Sequence, residues 1–175
     1  MSNSQNGYEV IRSSGNSLLH LWKFPGIDRH LLLRRGSAGF ILVHYAFTHH
    51  EEIERLDLGI WDEWGWAYRP IRGATTFSNH ASGTAEDLNA TKHPLGVPAL
   101  ATYTPAQLAK MRKVLAKYDE CIRAGAFYQN RPDGMHFEVD RPLADVEKVA
   151  KRLSRSKRGK AILAVNPGQK AVIFS

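Results

Sequence analysis

The sequence predicts an α+β fold, a small antiparallel sheet flanked by helices. Two segments show helical periodicity with clear start signals, and several short apolar runs of strand length are bounded by turn residues. Helices and strands mix without the regular strand–helix–strand alternation that a parallel sheet requires. At 175 residues, with 43% apolar and 23% charged side chains, the chain suits one compact domain with its own core.

Residues 1–17, rich in Ser, Asn and Gly, read as a mobile N-terminal arm preceding a single domain over 18–175. Leu31 to Leu33 suggests a strand. From Ser37 to His50 the apolar residues recur at mixed spacing, and a buried helix is expected, although its β-branched content leaves a strand open. Thr104, Pro105 and Gln107 supply an N-cap, a pre-set first helical residue and a capping-box partner. Leu108, Met111, Leu115, Tyr118 and Ile122 then follow at helical spacing, and Gly125 suits the stop. A second amphipathic helix is expected from Pro142 to about Arg155, turning Leu143, Val146, Ala150 and Leu153 inward. The last segments, Ala161 to Val165 and Ala171 to Phe174, flank Asn166–Pro167–Gly168–Gln169 and predict a closing β-hairpin over a type II turn.

Composition removes several function classes. No uncharged apolar run reaches the roughly 18 residues of a membrane-spanning helix. Residues 1–7 lack the basic and apolar regions of a secretory signal, so the chain is expected in the cytoplasm where it is made. The single cysteine, Cys121, forbids an internal disulfide and multi-cysteine zinc sites, and without a nearby histidine it reads as an ordinary thiol. A net charge of +7 admits polyanions, both nucleic acid and anionic cell wall. Nucleic acid is set aside, because neither a stacking platform nor a recognition motif accompanies the charge. The run from Lys148 to Lys160 holds seven basic and no acidic residues and reads as a solvated face that could also bind an anionic envelope.

Any metal must therefore be held mainly by His, Asp or Glu. His49 and His50 sit near a helix end, point about 100° apart and do not complete HExxH. His20, His30, His44 and His93 default to surface or packing roles. Trp61, Trp64 and Trp66 read first as core and rim packing, second as a substrate wall.

The informative stretch is Tyr68 to Asn89, where Ser78, His80, Gly83, Ala85 and Asp87 stand in the order SxHxxGxAxD. Asp133, His136 and Glu138 follow downstream in DGMHFE. Together these residues resemble the VanY-like zinc peptidases of peptidase family M15. That group includes D-Ala-D-Ala carboxypeptidases and L-alanyl-D-glutamate endopeptidases of phages and bacteria. The run His93 to Gly96, HPLG, further resembles catalytic domains of endolysins from phages of actinobacteria. The resemblance spans roughly Leu31 to Leu153 and implies the D-Ala-D-Ala carboxypeptidase/hedgehog-like fold. Glu86 departs from it, since the family has an apolar residue there.

The resemblance implies Zn2+ held by His80, Asp87 and His136, water activated by Asp133, and substrate fixed or polarised by Arg69, with Arg72 as a near alternative. Ser78 would hold the substrate or its loop, and Glu138 would orient His136. The residue types suit that chemistry: three N and O ligands leave a fourth tetrahedral position open, as in a catalytic zinc site. His136 and Glu138 share one face of a strand while Phe137 faces the core. Asp133, in the Pro132–Gly134 turn, is expected to overhang the site as the candidate base. An aspartate at that position is the endopeptidase pattern, where the carboxypeptidases have Glu. The expected function is a monomeric zinc peptidase that cuts peptidoglycan stem peptides at L-Ala-D-Glu or a D-Ala-containing amide. It would reach the wall from the host cytoplasm through a holin-type pore or aboard the virion. A D-Ala-D-Ala carboxypeptidase and a non-catalytic zinc-containing wall-binding module are the alternatives.

Overall fold

The computed structural model describes residues 2–70 and 76–175. Its elements run β1 (Leu19–Lys23), β2 (His30–Arg34), α1 (Ser37–Glu52), β3 (Ala85–Asp87), α2 (Pro105–Leu115), β4 (Ile122–Ala124), β5 (His136–Val139), α3 (Leu143–Leu153), α4 (Lys157–Ala164) and α5 (Gln169–Phe174). The fold is α+β. The first two strands form an antiparallel hairpin, and a second antiparallel sheet has the order β3-β5-β4.

Helix α1 is the centre of the molecule. Every residue from Ser37 to His50 is buried, as expected of a helix apolar on all sides. Its polar side chains are satisfied internally where they can be: Thr48 Oγ1 donates to the His44 carbonyl at 2.7 Å, and His44 Nδ1 meets the Tyr118 hydroxyl at 2.8 Å. The inward face of β5 packs on this helix, with the Phe137 ring 4.7 Å from Tyr45 and 5.6 Å from His49 between centroids. Phe137 thus roots the strand in the core while its neighbours His136 and Glu138 point to the other face. Helix α2 begins with the expected capping box: Thr104 Oγ1 accepts from the Gln107 amide and Gln107 Oε1 accepts from the Thr104 amide.

Three expectations are corrected. The predicted terminal hairpin is helical, α4 followed by α5. Ser156 Oγ caps α4 by accepting from the Gly159 amide at 3.0 Å, and Ile162 is driven into the core, so capping and packing override short apolar runs whose period is ambiguous. Gly168 does take the positive φ of 83°, but it links two helices. Secondly, α2 stops at Leu115, and Asp119 and Glu120, with φ of 50° and 59°, reverse the chain so that Ile122 and Gly125 fall on β4 and the turn after it. Thirdly, the N-terminal segment is not a free arm. Tyr8, Val10 and Ile11 are buried, and Asn6 Nδ2 donates to Thr84 Oγ1 and the Val139 carbonyl. Residues 12–17 are exposed. The polar composition misled because hydrogen bonds, rather than apolar area, hold much of this segment. No helix among the described residues is long and apolar enough to cross a membrane.

Candidate metal centre and groove

Each candidate ligand is positioned by a different local device. His80 lies in a 3-10 turn, Asn79–Ser82, whose cap is Ser78: its side chain accepts from the His80 amide at 3.3 Å. Asp87 ends β3, and His136 begins β5 directly opposite it in the antiparallel register. The three side chains converge, with one ligand atom from each lying within 4.8 Å of the others. His80 Nε2 stands 3.2 Å from His136 Nδ1 and 3.3 Å from Asp87 Oδ1, and the last two are 3.0 Å apart. Bonds of about 2.0–2.2 Å to one tetrahedral cation place its N and O ligands about 3.3–3.6 Å from each other. The observed triangle is slightly tighter than that.

The remaining nitrogens fix the tautomers. His80 Nδ1 is 2.7 Å from the Gly65 carbonyl, which can only accept, so Nδ1 carries the proton and Nε2 offers a lone pair. His136 Nε2 donates to Glu138 Oε2 at 3.0 Å, leaving Nδ1 as the inward atom. With both outward nitrogens protonated, two lone pairs and a carboxylate oxygen face a common point, an arrangement that suits a cation between them. Burial works to lower His136, but Asp87 and Glu138 outweigh it and raise its pKa to about 10. Asp87 shows the converse: burial works to raise it, and His80 and His136 hold it far below the usual carboxylate range. In the metal-free chain a proton supplies the missing positive charge, and the donor set fits a divalent cation in its place. Among the described residues this is the one cluster of three His, Cys, Asp or Glu side chains with metal-holding geometry.

Glu138 anchors the assembly. Its Oε2 also accepts from Asn79 Nδ2 at 2.6 Å, and its Oε1 accepts from Arg123 and from the Tyr128 hydroxyl at 2.7 Å. Burial would raise its pKa, yet these donors and His136 hold it well below the usual range. Asp133 sits in the turn before β5, and its Oδ1 is buried without a hydrogen-bond partner among the described residues. Burial pushes its carboxyl upward, more than the charges of His136, His80 and Arg131 pull it down. Gly125 permits this placement. A Cβ there would lie 2.4 Å from the Asp133 carbonyl oxygen and 2.8 Å from its Cβ. Gly125→Ala is therefore expected to displace Asp133 and to lower the melting temperature of the chain, read by thermal unfolding beside the wild type.

Arg69 and Ser78 both line the cleft that contains the three ligands, and Arg72 lies outside the described residues. The cleft has two connected lobes. One, of about 440 Å³, holds Arg69, Ser78, Arg123, Tyr128, Arg131 and Asp133 around the ligands. The other, of about 530 Å³, runs past His80 and Asp87 under Trp64, Trp66, Pro94 and Leu95. Trp64 is 61% exposed, which sets it apart from the fully buried Trp22.

Sequence reasoning missed Gly65, Asn79, Arg123, Tyr128 and Arg131. Arg123 could be found only after strand pairing, because it stands opposite Glu138 across β4 and β5. Glu86, noted as a departure from an apolar position, is fully buried with neither carboxylate oxygen hydrogen-bonded among the described residues. Burial, reinforced by the Asp87 charge, pushes its pKa well above the usual range.

Two buried imidazoles, one carboxylate and an overhanging aspartate in an open groove define a candidate single-metal hydrolase centre. Residues 72–139 match a peptidase family whose model is described as D-alanyl-D-alanine carboxypeptidase. The match takes in all three candidate ligands together with Asp133 and Glu138 and covers less than half of the chain. No curated protein and no solved structure matches the chain.

Proposed function

We propose that this protein is a zinc peptidase that hydrolyses an amide bond within peptidoglycan stem peptides. The observation that carries the reading is the convergence of His80 Nε2, His136 Nδ1 and Asp87 Oδ1 with both outward ring nitrogens already engaged. A bound divalent cation would supply a water of pKa about 7 and positive charge beside the scissile carbonyl.

The chain's own residues do the rest. Asp133 takes the proton of the attacking water and returns it to the leaving amine, a role suited to a carboxylate with an unpartnered buried oxygen. Arg69, exposed at the junction of the two lobes, stabilises the developing oxyanion or holds a substrate carboxylate. Ser78 keeps the His80 turn in shape, and Glu138 keeps the His136 ring in one orientation and tautomer. The fold proposed with this activity is that of the D-Ala-D-Ala carboxypeptidases and hedgehog-like domains. The motif resemblance favours a phage endolysin released through a pore or carried by the virion.

Open cavity space adjoins the ligands in two lobes that share Arg69, His80 and Asp87, which favours cleavage inside a peptide. Removal of a terminal D-Ala is the second reading, favoured by the description of the matched family. Incubation of purified muropeptides with the zinc-loaded chain, followed by mass spectrometry, separates them. Chelator-sensitive cleavage between internal residues is expected. Release of D-Ala alone would establish the second reading, and intact muropeptides would leave only a non-catalytic wall-binding module.

A further inference from the structure

The groove is chemically asymmetric about the candidate metal ligands. One lobe is rimmed by Arg69, Arg123 and Arg131, whereas Trp64, Trp66 and Pro94 wall only the other. The three arginines are not equivalent. Arg123 is committed to Glu138 and lies within ion-pair reach of Asp140. Arg69 lines both lobes next to His80 and Asp87, so it faces the bond being broken. Arg131 lines the basic lobe alone, is exposed, and has no carboxylate within ion-pair distance among the described residues.

Two of the three acids of that lobe are already occupied, and the third, Asp133, makes no ion pair with Arg131 among the described residues. Asp87 is engaged by His80 and His136, and Glu138 by His136, Asn79, Arg123 and Tyr128. A guanidinium in a concave, polar lobe with its fork available is suited to a planar carboxylate, which it can bind through two parallel N–H···O bonds. The opposite lobe offers no cation beyond the shared Arg69 and suits an uncharged flank.

Resting on the peptidase reading of this site, we infer that Arg131 is a specificity-determining residue. It binds a carboxylate on the substrate residue that occupies the basic lobe, while the lobe under Trp64 receives the uncharged side of the cleaved bond. The substrate class is thus a peptide carrying a free carboxylate on one side of the scissile amide only.

The test uses two stem peptides that differ in one group, a free glutamate carboxylate beside the cleaved bond or its carboxamide. Zinc-loaded wild type and Arg131→Gln are compared by kcat and KM, and the chelator-treated chains by calorimetric binding of the same peptides. Wild type is expected to favour the acid by about tenfold to a hundredfold, expressed in KM. Arg131→Gln removes that preference, bringing the acid-to-amide ratio to about one, while Arg131→Lys restores part of it. An acid-to-amide ratio that survives in Arg131→Gln overturns the inference. So does an equal slowing of both peptides, which would mean that Arg131 acts only on Asp133. If neither peptide is cleaved, the peptidase reading fails, and the calorimetric ratio still decides whether Arg131 reads the carboxylate.

Discussion

Asp133→Asn is expected to abolish the proposed hydrolysis, on the order of a hundredfold to ten-thousandfold in kcat, with zinc content and fold as in wild type. The change removes a base and no ligand, and the amide fills the same space. Stability gives an independent check on the metal-free chain. Burial raises the Asp133 carboxyl, so its ionised form is disfavoured in the folded protein. Above its folded pKa the wild type therefore carries a cost that the neutral amide avoids. Below about 3.8, where the carboxyl is protonated in both states, that cost is absent. Asp133→Asn should thus unfold at a higher temperature than wild type at pH 7, and the gap should close as pH falls through the folded pKa. Undiminished turnover in this variant would remove Asp133 from the mechanism.

Asp87→Ala is expected to prevent stable metal loading. The substitution takes away the single anionic candidate ligand and leaves His80 Nε2 and His136 Nδ1 facing each other at 3.2 Å. A ligand present at about a thousandfold over its dissociation constant stabilises the folded state by about 4 kcal/mol. For a domain of this size each kcal/mol corresponds to about 2–4 °C. Chelation should therefore lower the wild-type melting temperature by on the order of 10 °C and leave that of Asp87→Ala nearly unmoved. Elemental analysis of the two purified chains gives the direct comparison. Equal metal content in both would show that the ion sits elsewhere.

The site was more legible in the sequence than the architecture around it. His80, Asp87 and His136 stand out because their two motif segments resemble a known family, and the alternation of His136, Phe137 and Glu138 announces a strand with one face on the core. The same logic could not reach Arg123 or Asn79. Their partner Glu138 is distant in the chain, and only the pairing of β4 with β5 and the packing of the His80 turn bring them to it. Helix starts were readable where side-chain caps write them into the sequence, as at Thr104. Helix ends were not: Asp119 and Glu120 adopt left-handed backbone without being glycine, so nothing in residue type marks the reversal. The C-terminal segment failed for a third reason, that Ala161–Val165 is too short for its period to decide between helix and strand before the core is known.

The direct opposition of Asp87 and His136 couples sheet formation to site assembly. Side chains alternate across a strand, so a slip of one residue between β3 and β5 would send one of the two to the far side of the sheet and break the chelate altogether. A captured ion would therefore act as a molecular pin that rewards one alignment of two very short strands over all others. Zinc supplied during refolding should then raise the yield of correctly assembled protein, over and above any effect on the finished fold.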